Sequence, residues 1–174
     1  MPQKKASPNR SHRTQTAKAL RLIRINNPVT PAQWKALGLK FKSIGHGVFR
    51  ETVRIVGTDL VIKAPIAEGR GPKFDYSEGI AHAKSEMNRL GRLARIDVLK
   101  PHLPVVYWYD AKNGQTVMKY YPPIPEKQKV ELLGKVVKSL VAKLAGVAMS
   151  DIHEDNIRQK RSDWQVCVFT DLGY

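Results

Sequence analysis

Pro122-Pro123-Ile124-Pro125 limits the folds open to this chain more than any other segment. Its prolines remove backbone donors and fix successive φ angles, so neither a helix nor a central strand can run through it. The segment reads as a stiff connector. Patterning differs on its two sides, with strand-like runs before it and a largely helical stretch after it. That division predicts two lobes with a crevice between them.

Upstream, Phe41 to Ile44 and Glu51 to Val56 read as strands flanking the Gly-rich turn Gly45-His46-Gly47. Gly57-Thr58-Asp59 is a turn before the apolar strand Leu60-Val61-Ile62-Lys63, and residues 67–74 read as a loop. A helix is expected from about Tyr76 to Ile96, because Ile80, Ala83, Met87, Leu90 and Ala94 fall at helical spacing. Val105 to Tyr109 and Thr116 to Tyr120 follow as strands around the turn at Asn113-Gly114. Earlier still, Thr30-Pro31-Ala32-Gln33 is a capping box with proline at the first helical position, so a short helix should run to Leu37 with Gly38 ending it.

Downstream, Val130, Leu133, Val137, Leu140, Leu144 and Val147 give a second long helix over about 126–148. A polar loop, Asp151-Ile152-His153-Glu154-Asp155-Asn156, comes next. A hairpin pairing 157–159 with 165–169 then leads into Asp171-Leu172-Gly173.

Charge is the second constraint. Lys and Arg number 30 against 15 Asp and Glu, a formal net charge of +15 in 174 residues. A field of that sign favours nucleotides, nucleic acid or an acidic protein face as partners. No acidic residue precedes Glu51, and residues 1 to about 17 carry almost no large apolar side chain. Residues 1–24 are therefore expected to form a basic, disordered tail, with a short basic helix at Ala19–Ile25. Such a tail is either a solvated segment or a nonspecific contact for nucleic acid. The single Cys167 excludes an internal disulfide and a multi-cysteine zinc site. No apolar run is long enough to span a bilayer and no signal-peptide core is present, so the expected location is the cytoplasm, without a membrane partner.

Several residues could carry chemistry. Gly45 and Gly47 would let backbone amides approach a polyphosphate, although an ordinary hairpin turn uses glycine too. Lys63 reads either as a solvated strand-end lysine or as a bridge between α- and β-phosphates, a role that needs a carboxylate from the next helix. Glu86 lies at the edge of that helix's apolar stripe whereas Glu78 faces away, and a charge beside a buried face needs a partner, so Glu86 is the choice. Asp151 stands five residues before Asn156 and twenty before Asp171. In that arrangement one carboxylate can orient a hydroxyl while Asn156 and Asp171 hold magnesium. Helix capping by an Asx-rich loop is the competing reading of Asp151 and its neighbours.

Taken in order, Gly45-x-Gly47, Lys63, Glu86, Asp151-x-His153-x-x-Asn156 and Asp171-Leu172-Gly173 resemble the protein-kinase-like superfamily. The Asp-x-His-x-x-Asn form looks most like aminoglycoside and lipopolysaccharide kinases and small phage-encoded protein kinases. The resemblance implies an α+β bilobal fold. Its N-lobe, residues 25–121, would hold an antiparallel sheet with one long helix. A truncated, mostly helical C-lobe, residues 122–174, would end after the Asp-Leu-Gly motif. It implies ATP and Mg2+ as cofactors and transfer of the γ-phosphoryl to a Ser or Thr hydroxyl of an unknown protein, a host protein in the host cytoplasm if the chain is phage-encoded. Asp151 would then be the catalytic base, His153 would lie near the γ-phosphate, Asn156 and Asp171 would bind metal, and Lys63 with Glu86 would hold the phosphates. Val117 to Tyr121 resembles the adenine-binding hinge, with Met118 and Tyr120 as contacts. The pattern departs at Met149, where a histidine is usual, at Arg50, which replaces a third glycine, and at Tyr174, beyond which the family carries an acceptor-binding subdomain. The alternative is a nucleotide-binding pseudokinase, or a basic interaction or nucleic-acid-binding protein without catalysis.

Overall fold

A computed structural model describes residues 8–47, 49–66, 76–97, 99–124, 157–159 and 167–169. The architecture is α+β. Helices α1 (Pro8–Asn26) and α2 (Pro31–Ala36) precede strands β1 (Phe41–His46), β2 (Arg50–Ile55) and β3 (Leu60–Pro65). Helix α3 (Tyr76–Leu93) follows, then a 3₁₀ turn at Lys100–His102 and strands β4 (Val106–Asp110) and β5 (Gln115–Lys119). Strands β1 to β5 form one antiparallel sheet in the order β1-β2-β3-β5-β4. A five-stranded antiparallel sheet with a long helix inserted between its third and fourth strands is compatible with a kinase-like N-lobe.

The chain divides into two units, residues 1–84 with 105–120, and residues 85–104 with 121–174. The divisions fall within α3, before Val105 and after Tyr120. In the second unit, β6 (Ile157–Gln159) and β7 (Cys167–Phe169) pair antiparallel, and Pro123 bridges to Arg158. The expected helix at 126–148 and the loop at 67–74 lie outside the described residues. Among the described residues, no helix is long and apolar enough to cross a membrane.

The expectation for residues 8–24 requires a correction. From Pro8 onward they are helical, and the helix continues to Asn26 where a disordered tail was expected. Ala19 and Ile23, one turn apart, are buried in a cluster with Trp34, Leu39, Val53, Ile55, Leu60, Ile62, Ala64 and Val117. Amphipathic helices draw most of their stability from such packing rather than from propensity. The arginines dilute the apolar signal of α1 without occupying its buried face.

Polar contacts fasten the same segment to the sheet. Asn27, with φ at 43°, ends α1 and turns the chain, and its Nδ2 donates to Asp110 Oδ2 at 2.7 Å. The next carbonyl, Pro28 O, accepts from Trp34 Nε1 at 2.7 Å and from Gln115 Nε2 at 2.6 Å. Arg24 donates to the Tyr107 carbonyl. Helix α2 starts as its sequence indicates, with Gln33 N–H donating to Thr30 Oγ1 and Thr30 N–H donating to Gln33 Oε1. Gly38 follows the helix at φ +71°, in the left-handed region that favours glycine.

The Asp110 carboxylate is a pH-sensitive part of this junction. Partial burial would raise its pKa, but donors from Asn27, Asn113 and the Lys112 backbone outweigh that and hold it below the ordinary carboxylate value. A lowered folded-state pKa gives stability that is present above the unfolded value of about 3.9 and lost as pH falls through the folded one. Wild type should therefore lose melting temperature between pH 5 and pH 3 more steeply than Asp110→Asn. Parallel pH profiles for the two proteins would remove Asp110 from this role.

Candidate functional site

β3 is the middle strand of the sheet, and strand alternation divides its side chains between two faces. Leu60, Ile62 and Ala64 join the core cluster with α1 and α2, so Val61 and Lys63 belong to the opposite face. Opposed residues in antiparallel strands share a face. Lys63 is opposite Thr52 on β2 and Thr116 on β5, and Val61 is opposite Arg54 and Met118. Lys63 is only 6% exposed and Met118 only 2%. Lys63 is thus a buried mid-sheet lysine, not a solvated strand-end one.

The Gly-rich hairpin adjoins this face. The β1–β2 register shifts between Ser43 and Gly45, and Gly47 N–H donates to the Arg50 carbonyl at 2.9 Å. Among the described residues, a Cβ added at Gly45 would meet no atom within 4 Å, and one at Gly47 would meet only the Arg50 carbonyl, at 3.9 Å. Neither glycine has positive φ. Among the described residues, packing therefore does not demand glycine at either position.

Gly79 differs from both. A Cβ there would lie 2.7 Å from Pro65 Cβ and 2.8 Å from the Phe49 carbonyl, so the glycine lets the start of α3 approach the end of β3. Beyond the Gly-rich turn, the Phe49 ring stacks on His82 of α3 with centroids 4.2 Å apart. The Phe49 carbonyl accepts from Ile66 N–H at 3.0 Å. The hairpin end, the end of β3 and the first turns of α3 are locked together at this point.

Arg50 has a definite place. Its Nη2 donates to Thr116 Oγ1 at 2.9 Å, to the Lys63 carbonyl at 3.3 Å and to the Gly114 carbonyl at 3.4 Å. The guanidinium ties β2 to β3 and β5 at the level of Lys63. Burial pushes the nearby Tyr109 phenol up, with the Arg50 charge opposing that shift.

On α3, Glu86 is 5% exposed, while Glu78 is exposed. The burial difference follows the helical wheel. At the end of β5, the Tyr120 N–H donates to the Asp59 carbonyl at 2.6 Å, and the Arg54 guanidinium lies 3.8 Å above the Tyr120 ring centroid. The Tyr120 amide is therefore already engaged within the fold. Asp151, His153, Asn156 and Asp171 lie outside the described residues. Among the described residues, no group of three His, Cys, Asp or Glu side chains is placed to hold a metal.

Sequence reasoning missed three features: the buried face of α1, the close approach at Gly79 and the Arg50 clamp. Only the first left a signal, in the four-residue spacing of Ala19 and Ile23. The other two join segments remote in sequence.

No family model and no curated protein matches the chain. Among solved structures the chain is similar to one titled PpkA-294, apo form, with 20% sequence identity and a TM-score of 0.44. The similarity covers 76% of this chain and 57% of that one.

Proposed function

We propose that the chain is an ATP- and Mg2+-dependent phosphotransferase of the protein-kinase-like type, acting on a protein Ser or Thr hydroxyl. The observation that carries this reading is the burial of Lys63 at the middle of the sheet, on the face opposite the α1–α2 cluster. Burying an ammonium costs several kcal/mol, on the order of the whole stability margin of a small domain, unless it is paired. Glu86, also buried, is the carboxylate we assign to it, in the role of holding the lysine toward the α- and β-phosphates.

Gly45 and Gly47 support the reading, because among the described residues nothing in the packing calls for their missing side chains. A polyphosphate approaching the hairpin backbone would call for them. Ile157, the residue after Asn156, pairs with Phe169, two residues before Asp171. That register supports Asn156 and Asp171 as joint magnesium ligands. Asp151 would orient the acceptor hydroxyl and His153 would lie near the γ-phosphate. The adenine edge would be met near Met118 by backbone groups other than the Tyr120 N–H, which Asp59 occupies.

Transfer of this kind relies on positioning and charge neutralisation, not on covalent chemistry by the protein. With γ-labelled ATP and Mg2+, the wild-type chain should label protein, itself or an added acceptor. Asp151→Ala should reduce labelling by about a hundredfold or more. Equal labelling by both proteins would overturn the catalytic assignment. Nucleotide-linked stabilisation without any transfer would instead mark a pseudokinase.

A further inference from the structure

We propose that the exposed face of α1 is a docking surface for the phosphate backbone of nucleic acid. This inference is independent of the phosphotransferase reading, because α1 lies on the sheet face opposite Lys63.

Arg13, Lys18, Arg21 and Arg24 are exposed on a helix whose other side buries Ala19 and Ile23. At about 100° per residue, Arg13, Arg21 and Arg24 fall within about 80° of arc, and they span about 16 Å of helix axis. Arg24 is tied to the Tyr107 carbonyl. Arg13, Lys18 and Arg21 make no ion pair among the described residues. No acidic side chain occurs in α1, α2 or β1.

Lys18 with Arg21, and Arg21 with Arg24, are like-charge pairs at a spacing that weakens a helix. The fold holds these charges in place through the packing of Ala19 and Ile23 and the polar junction at Asn27 and Pro28. Among the described residues it supplies no ion-pair partner to Arg13, Lys18 or Arg21. A polyanion would. An acidic protein partner is disfavoured by what the face lacks. Protein interfaces centre on aromatic and apolar anchors, and the one large apolar side chain exposed on α1 is Ile25, at its C-terminal end. A phosphate backbone requires only cations on a rigid support, at one negative charge per about 1.7 Å of duplex axis.

The test is anisotropy of a fluorescent 20-base-pair DNA duplex of arbitrary sequence, titrated with the full chain, with R13Q/K18Q/R21Q and with a chain lacking residues 1–7. Three phosphate contacts predict that wild-type affinity falls about 40-fold between 50 and 200 mM salt. The triple variant should bind at least about tenfold more weakly at 50 mM and lose most of that salt dependence. Its melting temperature should not fall, since none of the three side chains is buried and like-charge pairs are removed. Removing residues 1–7, which contain Lys4 and Lys5, should leave most of the binding. The proposal is overturned if wild type does not bind at 50 mM salt, or if the triple variant binds like wild type. It is also overturned if deletion of residues 1–7 alone abolishes binding, or if polyglutamate displaces the duplex at equal charge concentration.

Discussion

Lys63→Met should remove both nucleotide-linked stabilisation and phosphoryl transfer. At an ATP concentration about 100 times its dissociation constant, a protein that binds only in its folded state gains roughly 2.7 kcal/mol. Wild type should show that gain with Mg2+, and Lys63→Met should show almost none. Transfer should fall by about a hundredfold or more, the usual scale for removing a preorganised charge aimed at a transition state. The single substitution has a side effect that must be separated from this one. With Lys63 gone, Glu86 is left as a buried carboxylate without its proposed partner, and breaking such a pair costs about 3–5 kcal/mol. Lys63→Met combined with Glu86→Gln should regain stability while remaining unable to respond to ATP. A double variant that recovers the ATP response would mean that the lysine does not meet phosphate. A double variant no more stable than the single one would mean that Glu86 is not its partner.

The second large effect concerns a segment far from that face. Ile23 has no exposed surface, whereas Ile25, two residues on, is 68% exposed. Ile23→Ala should cost about 3 kcal/mol, within the range for emptying a packed site. In a chain of this size that corresponds to a fall in melting temperature of roughly 10 °C. Ile25→Ala should change stability by no more than about 0.5 kcal/mol. Thermal unfolding of the two variants distinguishes a packed α1 from a solvated tail, for which both substitutions would be silent. Truncation of the basic N-terminal residues as far as Ile23 should accordingly damage the fold, so it cannot serve as a clean test of their charge.

The contrast between Ile23 and Ile25 also shows what could be read from the chain alone. Strands β1 to β5, the Thr30 capping box and the spacing within α3 were legible because each depends on neighbours a few residues away. The burial of Glu86 and exposure of Glu78 followed from the helical wheel for the same reason. Helix α1 was legible only in its last turns. Its arginines lower the mean hydropathy, and its two core residues gain meaning only from Val53, Ile62 and Val117, which lie elsewhere in the chain. Arg50 was noticed as a departure from a glycine pattern, but its bonds to Thr116 and to the Gly114 and Lys63 carbonyls come from the folded sheet. Gly79 offered no local signal, because the pressure for glycine comes from Pro65 and Phe49 across a packing contact. The proposed catalytic group Asp151, His153, Asn156 and Asp171 rests on sequence spacing, supported by the pairing of Ile157 with Phe169.

The central claim, that the chain is an ATP- and Mg2+-dependent phosphotransferase, is tested most directly by titrating ATP with Mg2+ into wild type and Asp171→Ala. Labelled phosphoryl transfer would be measured in the same samples. The account predicts transfer by wild type, none by Asp171→Ala, and a magnesium-dependent ATP stabilisation that is smaller or absent in the variant. If ATP does not stabilise wild type at any magnesium concentration, or if Asp171→Ala transfers phosphate as well as wild type, the account is contradicted.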